Sequence, residues 1–273
     1  MGALNTAMTR LFDLVIGPLA GRPAVALAVV SVLTAVWALL LFKAVTPQRT
    51  LERVRDRLFG HIYEMGLYPD HLRVVARIQG DLARANLRYL SLTLPALVAL
   101  TIPMLLTLGQ LDARYSHRPL APGEETVFTV TLADGAAADL ADVRLDVPEG
   151  VTVTAGPVRD HGAGELAWRL RVDREGDLPL VVRRGDAELV GRTLPVGGGL
   201  RPVGESSRSD WLHGLLFPGA PVLPSGGPVA DATLLLPTRE VAYLGVGLPW
   251  LVAFMIFSLV GGLALKDLLR VSL

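Results

Sequence analysis

The chain has 273 residues, of which 51 % are apolar and only 19 % charged, and its mean hydropathy is +0.44. A soluble domain carries about a quarter charged residues, so part of this surface is expected to face something other than water. The net charge is zero, from 26 basic and 26 acidic groups, and there is no cysteine; a globally basic DNA-binding protein, a disulfide scaffold, a thiolate metal site and thiol catalysis are all excluded.

Residues 1–20 read as an amphipathic helix. Leu4, Met8, Leu11, Phe12, Val15, Ile16 and Leu19 recur at helical spacing opposite Asn5, Thr9, Arg10 and Asp13, and Gly17-Pro18 ends the run. Such a helix either lies in the membrane interface with its apolar stripe in lipid or packs on neighbouring helices. Residues 24–43 are predicted as the first transmembrane helix, because Ala24 to Phe42 is free of charge and roughly 20 apolar residues cross a hydrocarbon core of about 30 Å. Lys43, Pro47 and Arg49 follow it in place of a small-residue cleavage site, which predicts a retained span.

Residues 44–88 are predicted as a helical hairpin. Leu51, Val54, Leu58, Ile62 and Met65 recur at steps of three and four; Gly66 and Pro69 break the run; Leu72, Val75, Ile78, Leu82 and Ala85 resume it. The narrow stripe is that of a two-helix coiled coil. Arg53, Arg55, Arg57, Arg73, Arg77 and Arg84 decorate the hairpin and are candidate contacts for anionic lipid headgroups or for the ribosome; they also serve as topology signals. Residues 89–111 are the second predicted span, uncharged from Leu90 to Leu111 and interrupted by Pro95 and Pro103. Each proline removes a helical hydrogen bond and invites a bend. Pro95, Thr101, Pro103 and Gln110 are therefore candidates for a membrane groove.

From 119 to 199 short alternating runs replace the apolar blocks: Glu125–Leu132, Asp142–Val147, Val151–Ala155, Glu165–Val172, Leu178–Arg183 and Glu188–Val196, separated by turn signals such as Asp134-Gly135 and Glu175-Gly176-Asp177. Strands at this spacing predict an immunoglobulin-like β-sandwich with Trp168 in its core. Residues 200–240 read as a Pro- and Gly-rich return segment, 241–265 as a third charge-free span, and 266–273 as a short tail. The predicted fold class is thus a membrane α-helical protein with three transmembrane helices plus an extracytoplasmic all-β sandwich.

Charge sets the expected orientation. The 44–88 loop holds eight arginines against five acids, whereas Gln110 to Glu240 holds thirteen arginines against nineteen acids. Positive loops stay in the cytoplasm, so the N-terminus is expected outside and the C-terminus inside. The Ala-, Arg-, Leu- and Val-rich composition reads as bacterial, which places the chain in the inner (cytoplasmic) membrane.

No motif carries chemistry. The five histidines stand at 61, 71, 117, 161 and 213 without metal-ligand spacing, and no nucleophile elbow or phosphate loop is present. An enzyme is not expected, nor a cofactor. The predicted spans also lack the intramembrane charges that mark ion pathways.

The layout resembles the core of the YidC/Oxa/Alb insertase superfamily, including its three-span archaeal and endoplasmic-reticulum members. The residues that carry this likeness are Leu41-Phe42-Lys43-Ala44-Val45-Thr46-Pro47-Gln48, at the junction of first span and hairpin, and the proline-kinked stretch Pro95 to Pro103. Two features depart from the family pattern: no arginine lies within a predicted span, and the sandwich falls between the second and third spans. The resemblance implies a factor that inserts or chaperones membrane segments, with the lipid bilayer, nascent membrane proteins and the ribosome as partners. The alternative is a membrane-anchored structural subunit that binds an extracytoplasmic protein through its sandwich.

The charge asymmetry makes a direct prediction. A reporter active only outside the cytoplasm is expected to work when fused within residues 120–200 and to fail within 50–85; the opposite pattern would invert the orientation.

Overall fold

The computed structural model describes residues 2–67, 72–133, 140–243 and 245–271; Pro69 and the Asp134-Gly135 turn signal lie outside them. The chain divides into two compact units, Met1–Leu27 with Leu106–Trp250 and Ala28–Leu105 with Leu251–Leu273.

The helices follow the apolar blocks. Helix α1 (Gly2–Ile16) ends in a 3-10 turn at Gly17–Leu19, and α2 spans Pro23–Val45. Helix α3 (Gln48–Leu67) and the first part of α4 (Leu72–Tyr115) occupy the predicted hairpin. The hairpin and second span were expected as separate elements; the structure joins them in one helix of 44 residues that runs through both Pro95 and Pro103. Among the described residues two helices are long and apolar enough to cross a membrane, Pro23–Val45 and the stretch Val75–Tyr115. Their apolar windows are only 39 % and 17 % buried. Helix α6 (Trp250–Leu265) is a third apolar helix, of 16 residues. It starts later than the expected 241 because Gly245, Gly247 and Pro249 break helical propensity. Val241–Tyr243 and Val246–Leu248 instead pair as a short antiparallel hairpin, β9 and β10.

The β domain belongs to the first unit. Its strands are β1 (Glu125–Leu132), β2 (Val143–Asp146), β3 (Val151–Asp160), β4 (Glu165–Val172), β5 (Gly176–Arg184), β6 (Ala187–Val196), β7 (Ser206–Arg208) and β8 (Val229–Leu234). They form a five-stranded sheet in the order β3-β4-β1-β8-β7 and a three-stranded sheet in the order β2-β5-β6, all antiparallel. Strands β1 and β4 alternate buried and exposed residues, and inward side chains of both sheets share one hydrophobic core. At its centre Phe128 and Trp168 face each other in register, with ring centroids 6.1 Å apart.

Two differences from the sequence reading concern this domain. Strand β3 continues past Ala155 through Gly156-Pro157, with register shifts on both sides; as an edge strand it tolerates a residue that cannot donate. The expected return segment also joins the sheet: β8 lies between β1 and β7. Flanking Pro228 and Pro237 and a central Asp231 disguised it. The Asp231 carboxylate accepts bonds from Ser206 Oγ (2.9 Å), Thr233 Oγ1 (2.9 Å) and Arg208 Nε (3.0 Å), which is why an acid is tolerated in this strand.

Arg192, buried on β6, donates across to the Ser207 hydroxyl and to the carbonyls of Gly204 and Glu205, and so ties the two sheets together. Burial pushes its pKa down to about 10. Where the chain enters the domain, the Arg118 guanidinium grips both Glu124 carboxylate oxygens at 2.7 and 2.9 Å. That ion pair, with the Ala121 N–H, holds the Glu124 carboxyl down at about 2.

A carboxylate whose folded pKa is depressed adds stability above its unfolded value, about 4.3, and loses it as pH falls through the folded value. Acid is therefore expected to weaken the domain between about pH 4.5 and 2. Glu124→Gln in the full chain should flatten that part of the pH profile, read by hydrogen exchange of the sheet amides.

Candidate functional site

A large apolar concavity lies within the second unit, between α2, α4 and α6. It has a volume of about 680 Å³. Helix α2 lines it with Thr34, Ala35, Ala38, Leu39 and Phe42, α4 with Leu100 and Met104, and α6 with residues including Val252, Met255, Ser258 and Leu259. Small residues bring two walls close: a Cβ on Gly261 would stand 3.2 Å from Val32 Cγ2. Helix α6 buries Ala253, Phe254 and Gly261 and leaves Met255, Leu259, Val260 and Leu263 exposed. The lining contains no titratable side chain, and its hydroxyls are those of Thr34 and Ser258. What such a cleft offers is apolar contact, with neither acid–base nor nucleophilic chemistry.

The predicted groove residues stand elsewhere. Pro95 and Thr101 are exposed, and Thr101 returns its hydroxyl to the Leu97 carbonyl at 2.8 Å. Pro103 is half-buried. None of the three lines the cleft, because Leu100 and Met104 occupy the face of α4 that does. Apolar cleft residues carry no signal in sequence that separates them from lipid-facing or core positions.

Gln110 belongs to a buried polar network in the first unit. Its amide donates to Asn5 Oδ1 (3.1 Å) and Thr9 Oγ1 (3.2 Å) and accepts from Arg114 Nη1 (2.7 Å). Arg114 is wholly buried; it donates to Asp13 Oδ1 at 2.5 Å and lies 5.7 Å from the centre of the Phe12 ring. Its Nε has no partner among the described residues. Asn5, Thr9 and Asp13 recur every four residues on α1, and Gln110 and Arg114 are four apart on α4, so the two stripes match turn for turn. Helix α1 thus meets α4 through Asn5, Thr9 and Asp13 and also buries Phe12 and Ile16, while Leu11 and Leu14 are 55 % and 74 % exposed. The close approach of a third segment depends on Gly109, where a Cβ would collide with the Leu216 carbonyl.

The hairpin arginines are dispersed. A hollow of about 660 Å³ opens between α3 and α4, lined by Leu58, Phe59, Ile62 and Leu82 with Arg55 and Tyr89. Arg55 is the one candidate arginine that lines it. Arg53 donates to the Arg49 carbonyl, and Arg84 pairs with Asp81 at 2.6 Å. Arg57, Arg73 and Arg77 are exposed and form no ion pair among the described residues.

The fold also brings together two histidines that are distant in sequence. His117 and His213 line a hollow of about 190 Å³ with Glu205, whose Oε1 lies 3.3 Å from His117 Nε2. Among the described residues no group of three or more ligating side chains is placed to hold a metal ion.

The Arg114 network yields a test. Removing one partner of a buried ion pair costs more than replacing both, because it strands a charge. Asp13→Asn is expected to loosen α1 by about 2 kcal/mol, below the usual 3–5 for a fully buried pair because Asp13 is half exposed. The double variant Asp13→Leu/Arg114→Met should recover much of that loss, as measured by protease protection of α1.

No family model matches this chain, no curated protein is significantly similar to it, and no solved structure matches it.

Proposed function

We propose that the protein is a non-enzymatic integral membrane protein of the bacterial inner membrane, an insertase- or chaperone-like factor that shelters apolar segments of other membrane proteins during insertion or assembly. The observation that carries this reading is the cleft of about 680 Å³ between α2, α4 and α6, apolar throughout except for two hydroxyls. A helix of 23 residues is about 34 Å long, enough for a hydrocarbon core of about 30 Å. Helix α6, at about 24 Å, serves as the third span with local thinning of the bilayer. Exposed aliphatic residues outside the cleft on all three helices support a lipid environment: Val29 and Leu33 on α2, Leu97 and Ile102 on α4, Leu251 and Val260 on α6. Core helices of a soluble protein would bury such side chains.

In this reading the two-sheet domain is an immunoglobulin-like sandwich on the extracytoplasmic side, and the α3–α4 hairpin faces the cytoplasm, as the distribution of arginine implies. The exposed Arg57, Arg73 and Arg77 are then available to lipid headgroups or to the ribosome. The layout likeness to the YidC/Oxa/Alb superfamily points the same way.

Site-specific photocrosslinking in living cells tests the proposal. Photoreactive residues at Met104 and Met255, inside the cleft, should capture nascent membrane proteins, and one at Leu97, outside it, should capture lipid. Capture of lipid alone from all three positions, together with a single stable partner on the β domain, would overturn the insertase reading in favour of an anchored structural subunit.

A further inference from the structure

Helix α1 has two opposite faces, and one of them meets protein. Asn5, Thr9 and Asp13 reach Gln110 and Arg114 on α4, and Phe12 and Ile16, on the same side of the helix, are buried. Ala7, Leu11 and Leu14 fall on the other side, at the i, i+4, i+7 spacing of a single helical stripe. All three are exposed, and Arg10 beside them is exposed too. A helix on the surface of a soluble protein shows water a polar outer face; the outer face of α1 is aliphatic.

The depth of that face follows from what α1 holds. Gln110 and Arg114 lie about one turn apart on α4, where the charge-free block Leu90 to Leu111 gives way to Asp112 and Arg114. After Ile16 the chain passes through the 3-10 turn Gly17–Leu19 and the exposed Arg22 into the start of α2. Tyr115, at the end of α4, donates to the Pro23 carbonyl at 3.0 Å. Both attachments of α1 are thus to the ends of apolar helices, the level at which hydrocarbon meets headgroups when those helices span a bilayer. An amphipathic helix at that level buries its apolar face roughly 5–10 Å into the headgroup and acyl boundary, with basic side chains beside it. A stable protein partner would need more, because such interfaces take roughly 20–30 residues a side, and this stripe offers three.

We propose that α1 lies in the extracytoplasmic membrane interface, with Leu11 and Leu14 in the acyl region of the lipids; this rests on the membrane-spanning reading of α2 and α4. Asn5 Nδ2 also donates to the Gly214 carbonyl on α5 (Trp211–Leu216) at 3.1 Å. Helix α1 therefore seats the first unit on the lipid surface through contacts of its own.

The chain has no cysteine, so a single one can be introduced and labelled with a fluorophore. The full-length protein is reconstituted in vesicles of phosphatidylethanolamine and phosphatidylglycerol that carry a nitroxide lipid, with the nitroxide near either the glycerol or the end of the acyl chain. A label at Leu14→Cys should lose more fluorescence to the shallow nitroxide than to the deep one, and little to iodide in the water. A label at Leu33→Cys, on an exposed position near the middle of α2, should show the reverse order of depth. The inference is overturned, with the membrane reading left standing, if Leu33→Cys behaves so while Leu14→Cys is quenched chiefly by iodide, chiefly by the deep nitroxide, or by none of the three. Those results would place the face in water, in the bilayer centre or under protein. If neither nitroxide reaches Leu33→Cys, or if the shallow one quenches it more, the spanning role of α2 falls and the inference with it.

Discussion

Large aliphatic side chains stand exposed along α2, α4 and α6, and burial of apolar surface is worth about 25 cal/mol per Å². In the proposed reading an apolar surrounding covers these side chains, and several features of the helices fit that constraint. Backbone groups are satisfied inside unbroken helices, so α4 passes through two prolines without ending. Most hydroxyls return to their own carbonyls. Helix α1 buries Phe12 and Ile16 beside its hydrogen-bonded polar stripe and leaves Leu11 and Leu14 exposed.

Charge obeys the same constraint. Arg114 is tolerated in a buried place because Asp13, Gln110 and the Thr9 carbonyl share its donors and Phe12 offers its ring. This couples α1 to α4 by matching polar stripes, beside the buried Phe12 and Ile16. A buried pair of this kind contributes register more than net stability. The β domain works by the opposite rule. Its alternating strands bury a dry core around Phe128 and Trp168, and its charges lie at the seams, where Arg192 joins the sheets and Arg118 and Glu124 tie down the entry.

The cleft between α2, α4 and α6 is poor in chemistry, and that limits what it can do. With no titratable group in its lining, it offers shape and apolar area.

Several elements were legible in the amino-acid order alone. The charge-free blocks mark α2 and the second half of α4 because length and hydropathy are properties of a segment. Strands β1 and β4 coincide with the alternating runs Glu125–Leu132 and Glu165–Val172, since a half-buried strand prints its pleat on the sequence. The polar side of α1, with Asn5, Thr9 and Asp13, was visible too, but its pairing with Gln110 and Arg114 was not, because a contact across a hundred residues has no local period. Only the tertiary structure decided that β8 completes the sheet, that residues 241–248 turn back as a hairpin before α6, and that Leu100 and Met104, in place of Pro95, Thr101, Pro103 and Gln110, face the cleft. Each of these depends on which face of an element meets a distant neighbour. An apolar side chain looks the same in sequence whether it meets lipid, core or cleft.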